Sequence, residues 1–342
     1  MATNASGREY NIVVGKQDVS ALAIGGDGSL ADADFVSGSR LFMRTGSVSG
    51  INYDGAFTSS EVLRAGRRSI EDGDLIRHYG SGVWTWDFDY LVENEIMLQT
   101  LLSLVTEVDD CSSAIEITPT VANTTGDYSH GSTTADNVGI VMLVAPPSTS
   151  GLDDDDQIMH SAVLQNLTLS MDMGTDAGRL HASGQFMSGY KPIVKDSGVT
   201  GGATASNFEK GLFDFTARTI GGHETTTVKA FSMTFTNPAS RVAWQGTSAE
   251  TDGYVRGGLY DLAGSITIKY DDASADALVD WQNNIAYAIL LNDGGTFDIN
   301  IPSARMTGHN IDFADEGMFV EIPWRATTGA SASGNLAVIH MT

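Results

Sequence analysis

Two segments of this chain share one hydrophobic pattern. Residues 82–102 (GVWTWDFDYLVENEIMLQTLL) open on a glycine and then place Trp84, Trp86 and Phe88 at every second position. Residues 264–284 (GSITIKYDDASADALVDWQNN) do the same with Ile266, Ile268 and Tyr270. Strict alternation is the period of a strand with one buried face. In both segments acidic residues close the strand, and the apolar spacing then becomes helical. Residues 94–106 set Ile96, Met97, Leu101 and Leu104 along one helical face, with Glu93 and Glu95 in the first turn, where the helix dipole favours them. Residues 274–290 set Leu278, Trp281, Ile285 and Ile289 on one side, with Ser274 as the expected start and Asp276 in the first turn. The core-facing set predicted from both units is Trp84, Trp86, Phe88, Ile266, Ile268, Leu278 and Trp281.

The remaining pattern is mostly β. Leu167, Leu169, Met171 and Met173 alternate, a turn spans 174–178, and Leu180, Ala182 and Phe186 alternate after it. A second hairpin is predicted with Phe231, Met233 and Phe235 before an Asn237–Pro238 turn and Val242 and Trp244 after it. The chain closes on alternating runs at Phe297/Ile299/Ile301, Ile311/Phe313, Val320/Ile322/Trp324 and Leu336/Val338/His340. Residues 1–35 read as a polar, glycine-rich N-terminal arm with one apolar patch at 12–14. The pattern divides the rest into a first half, 36–190, with a long Ser/Thr/Asp-rich insertion at 107–160; a linker at 191–225; and a second half, 226–342. The insertion contains one apolar strand, at 138–144. A fainter echo links GRLHASGQFMSG (178–189) with GMFVEIPWRATTG (317–329), so a tandem duplication is expected.

Charge narrows the function classes. The formal net charge is −24, with 31 Asp, 12 Glu, 13 Arg and only 6 Lys. Dense carboxylates of this kind suit a salt-rich cytoplasm, where salt screens their repulsion. Duplex recognition needs clustered cations to displace phosphate counterions. The tightest cluster, Arg64, Arg67 and Arg68, is flanked by acids and reads as local ion pairing. No apolar run has membrane-spanning length, and the N-terminus lacks a signal-peptide pattern, so a product made in the cytoplasm is expected.

Catalytic and metal-binding signatures are sparse. Cys111 is the single cysteine, so neither an intrachain disulfide nor a cysteine metal site is expected. The seven histidines form no His-x-x-x-His pair. There is no Gly-x-Ser-x-Gly elbow and no phosphate-binding Gly-Lys-Ser/Thr loop. IGGDGSLA at 24–31 lacks the flanking strand and helix of a dinucleotide site. Asp153, Asp154, Asp155 and Asp156 are the candidates for a hard cation, but without alternating oxygen donors or a sharp-turn glycine they read first as a solvated loop. No cofactor and no catalysis are expected.

The order of features resembles the tail tube proteins of long-tailed viruses of bacteria and archaea. The resemblance is carried by VKAFSMTFTN, the Arg256–Gly258 turn region, GSITIKYDD with its helix, and INIPSARMTGHNIDFADEGMFVEIPWRAT. HSAVLQNLTLSMDMG followed by GRLHASGQFMSG resembles the family's central part. It implies a mainly β fold of two tail-tube β-sandwich or barrel halves, each with a flanking helix, closing into a ring. It further implies a structural virion subunit, assembled in the host cytoplasm, whose rings stack into a hollow tube conducting viral DNA. Single-domain members form six-membered rings, so three duplicated chains are expected to make a pseudo-sixfold ring. Expected partners are further copies, tail completion and baseplate proteins at the ends, and DNA passing without specific binding. Outward-facing positions on the core strands, Asp87, Asp89, Lys269, Asp271 and Glu321, are the lumen candidates. A glycan-binding β-sandwich of a tail fibre, baseplate or cell surface is the alternative, and a carboxylate hydrolase a third reading.

Overall fold

A computed structural model describes residues 11–17, 35, 41–43, 48–59, 75–106, 114–117, 139–144, 156–190, 193–194, 208–224, 227–242, 253–255, 260–314, 317–329 and 334–341. The first part contains β1 (Asn11–Lys16), β2 (Leu41–Met43), β3 (Val48–Ser59), β4 (Leu75–Leu91), α1 (Glu95–Thr106), β5 (Ala114–Ile117), β6 (Gly139–Val144), β7 (Gln157–Asp172), β8 (His181–Ser188) and β9 (Ile193–Val194). The second contains β10 (Ala217–Ile220), β11 (His223–Glu224), β12 (Val228–Thr236), β13 (Ser240–Val242), β14 (Gly253–Val255), β15 (Asp261–Lys269) and α2 (Asp272–Gln282). It ends with β16 (Tyr287–Asn292), β17 (Phe297–Met306), β18 (Asn310–Ala314), β19 (Gly317–Ala326) and β20 (Ala337–Met341).

The backbone of the fold is an antiparallel run β3–β4–β8–β7–β12–β15–β19–β18. Its inner rows follow from the alternation read in the sequence. One row is Phe88, Gly184, Leu167, Phe235 and Leu262; the next is Tyr90, Ala182, Leu169, Met233, Gly264 and Trp324. All of these side chains are buried, and each glycine lies beside a large aromatic ring, Phe88 or Trp324. Long strands carry the chain into a second layer. The N-terminal half of β7 pairs with β6, which pairs with β1, and β17 joins β19, β16 and β20. Ser161, where β7 turns between layers, has a positive φ of 48°, and the Gln17 side chain accepts its N–H at 2.7 Å.

Several expectations need correction. The apolar patch at 12–14 is not part of a loose arm: it lies in β1, paired on both sides and buried. α1 is not a flanking helix. It is buried around most of its circumference, from Met97 through Thr106 with only Gln99 partly exposed, as a helix surrounded by core must be. The hairpin expected at 231–244 does not form, because both edges of β12 are taken by β7 and β15; β13 pairs with β14 instead, and Trp244 lies outside the described residues. β20 buries Ala337, Ile339 and Met341, the opposite parity to the expected Val338 and His340. Most buried apolar residues of both halves belong to one continuous cluster, and Val163, Tyr190, Ala239 and Tyr254 form a separate small one.

The second helix also ends earlier than its apolar spacing suggests. Asn284 sits in the left-handed region at φ 54°, Asn284 N–H donates to Trp281 O, and Ile285 N–H donates to Asp280 O at 2.9 Å. That is the Schellman arrangement that stops a helix. Ile289 therefore belongs to β16, not α2. The helix also starts earlier: Asp271 is its N-cap, in a capping box with Ser274. Only Ala273, Ser274 and Ala277 of α2 are buried, so it lies against the body at its N-terminal half alone.

Candidate functional site

The sheet whose inner face makes the core has an outer face of different chemistry. One row across it is Asp87, Gln185, Asn166, Thr236 and Asp261; the next is Asp89, Ser183, Thr168, Thr234, Ala263 and Arg325. Short hydroxyl side chains fill its centre and bond across strands, Thr168 to Thr234 at 2.9 Å and Ser232 to Ser265 at 3.1 Å. Charge gathers at its flanks. Gln185 Nε2 donates to Asp87 at 2.5 Å, His181 lies between Asp89 (3.3 Å) and Asp176 (2.9 Å), and Arg325 Nε donates to Asp261 at 2.6 Å. Cross-strand pairs of this kind hold register while leaving the face hydrated.

Four of the five lumen candidates lie on this face: Asp87, Asp89, Lys269 and Glu321, the last opposite Thr267. Asp271 does not. It follows the end of β15 and its carboxylate accepts the Ser274 N–H at 3.2 Å, so it serves the helix rather than the sheet. Among the core candidates, Trp84, Trp86, Phe88, Ile266 and Ile268 are buried and Leu278 is half-buried. Trp281 is 42% exposed and Tyr270 43%, because α2 extends past the part of the body that covers it and Tyr270 lies beyond the strand. Asp156 is buried; Asp153, Asp154 and Asp155, like Arg64, Arg67, Arg68 and Cys111, lie outside the described residues.

Sequence reading missed a cleft at one end of the sheet. Met173, Leu212, Phe213, Val228 and Phe319 give this open cleft of about 480 Å³ its apolar walls, and Arg218 and Lys229 give it charge. Lys229 lies 4.5 Å from the centre of the Phe319 ring. The segment lining one wall is tied down by Lys210, whose ammonium donates to Asp293 at 2.7 Å. Burial pushes the Asp293 carboxyl up, but Lys210 and the N–H groups of Phe297, Gly295 and Thr296 outweigh it and hold the group well below the usual carboxylate range. Local pattern does not show the cleft, since its walls come from segments far apart in sequence.

Among the described residues no helix is long and apolar enough to cross a membrane, and no group of three or more His, Cys, Asp or Glu side chains is placed to hold a metal ion. No curated protein matches the chain significantly. The model of one family, described as phage tail tube protein, matches residues 11–326. That match takes in both strand–helix units, the polar sheet face and the cleft, and by it the chain belongs to the phage tail tube protein family.

Proposed function

We propose that three copies of this chain close into a pseudo-sixfold ring, that rings stack into the tube of a long-tailed virus, and that the outer face of the central sheet lines the channel. Membership of the family makes the chain a structural component of a virion tail that assembles with itself and with other tail proteins. The observation that carries the finer reading is the continuous hydroxyl-and-carboxylate face across six strands. A channel wall must let phosphate slide past, and a hydrated face dominated by neutral and acidic groups offers it little to hold. The sheet's two ends, β3 and β18, each pair on one side only among the described residues, and closing a ring covers such edges.

A repeated order of elements supports three chains per ring. In the first half β3 and β4 pair, α1 follows, and β8 returns to pair with β4; in the second β12 and β15 pair, α2 follows, and β19 returns to pair with β15. The acidic composition supports a salt-loving host. Tail completion and baseplate proteins would meet the ends of the tube, which would assemble in the host cytoplasm.

The face assignment is tested by labelling. In a Cys111→Ser background, Asp89→Cys and Thr168→Cys should react with a small maleimide in assembled tubes but not with one carried on a protein too wide for the channel. Equal reaction with both would place the face on the outside and refute the assignment.

A further inference from the structure

The cleft beside β12 and β19 breaks with the composition of the chain. Carboxylates outnumber cations 43 to 19 over the whole sequence. Yet the two charged side chains that line the cleft, Arg218 and Lys229, are both cations, and among the described residues no carboxylate lines it. The acids nearest in sequence serve the backbone instead. The Asp172 carboxylate accepts the Gly174 N–H at 2.8 Å, and the Asp214 carboxylate accepts the Gly211 N–H at 2.8 Å. Phe319 has Lys269 and Asp312 as its cross-strand neighbours, one of each sign, so the charge balance of the cleft is left to Arg218 and Lys229.

Both cations are positioned. Arg218 Nε donates to Phe215 O at 3.0 Å, and the Lys229 ammonium lies 4.5 Å from the centre of the Phe319 ring, whose face attracts it. An ammonium carries three N–H donors, and one ring face cannot take them all. Around these charges stand large apolar groups that meet water: Phe213 is 58% exposed and Met173 47%. A cleft of about 480 Å³ with apolar and aromatic walls and a few placed polar groups has the size and chemistry of a small-ligand site.

We propose that this cleft binds a small apolar anion, an aromatic or branched aliphatic group bearing one carboxylate or sulfonate. The apolar body lies against Met173, Phe213 and Phe319, and the anionic group faces Arg218 and Lys229. A neutral apolar group would desolvate two cations without a counter-charge, and a purely hydrophilic anion would leave Phe213 and Met173 in water, so only the combination satisfies both parts of the cleft. The site belongs to the single chain and does not depend on how copies assemble.

Anilinonaphthalene sulfonate is the probe, and its uncharged counterpart N-phenylnaphthylamine is the control. Both are titrated by fluorescence into the native full chain at one fixed salt concentration. The sulfonate should bind saturably, one molecule per chain, and more tightly than the control. Lys229→Gln and Arg218→Gln should each weaken it about tenfold, the loss of one charge-assisted hydrogen bond, and leave the control unchanged. Lys229→Arg, which keeps the charge, should bind as the wild type does, and this separates charge from a general loosening of the cleft. Phe213→Ala should weaken both probes. No saturable binding, a control bound as tightly as the sulfonate, or binding that is lost in Trp281→Ala and kept in the cleft variants overturns the inference.

Discussion

Gly264 is the position where the register of the central sheet can be tested most sharply. An added Cβ there would lie 2.0 Å from the Ser232 carbonyl oxygen and 2.7 Å from Cζ2 of Trp324. The indole could tilt, but the carbonyl belongs to the β12–β15 ladder and can yield only by opening it. Overpacking a fitted core costs about 1–3 kcal/mol, and a backbone collision belongs at the upper end, about 3 kcal/mol. Unfolding entropy near 60 °C is about 2.1 cal/mol/K per residue, hence about 0.7 kcal/mol/K for this chain, so Gly264→Ala should lower Tm by about 4 °C. Gly295 is the control: its added Cβ meets nothing closer than 4.0 Å, and Gly295→Ala should shift stability by less than about 0.5 kcal/mol. Scanning calorimetry of unassembled protein distinguishes them. A Gly264→Ala variant with wild-type Tm would refute the close approach of β12, β15 and β19.

Trp86, 1% exposed, should cost about 3–5 kcal/mol when replaced by Ala, measured by urea unfolding. Asp271→Ala removes the capping box of α2 and should cost about 1 kcal/mol, with faster amide exchange confined to α2. Asp293 titrates below its unfolded value of about 3.9, so its stabilisation is fully present above pH 4 and is lost as pH falls through the folded value; Asp293→Asn should destabilise at pH 7 by about 2 kcal/mol, and the gap should narrow in acid. Because self-repulsion of 43 carboxylates is screened by salt, Tm should rise from 0.1 M to molar KCl; a flat profile would contradict a salt-adapted host.

The strands were legible wherever alternation met burial on one face, as at Trp84–Phe88, Leu167–Met171 and Val320–Trp324. Partner choice was not: nothing local to Phe231–Phe235 says that β7 and β15 claim both its edges. Helix ends were misjudged for a related reason. The spacing of Leu278, Trp281, Ile285 and Ile289 fits one helical face, yet a left-handed Asn284 ends the helix and returns Ile289 to a sheet. The same spacing suggests Trp281 as core, because amphipathicity does not say how far along the helix the covering body reaches. The outer sheet face was partly legible, through Asp87, Asp89, Lys269 and Glu321. The cleft was not, because Met173, Phe213, Lys229 and Phe319 are far apart in sequence and meet only in the fold.

Electron microscopy of the purified chain in molar salt tests the central claim most directly. The account predicts stacked rings around a continuous channel, three chains to each ring, with the Thr168–Thr234 face toward the axis. Particles that remain single chains at every concentration and salt, or rings closed by six chains, would contradict it.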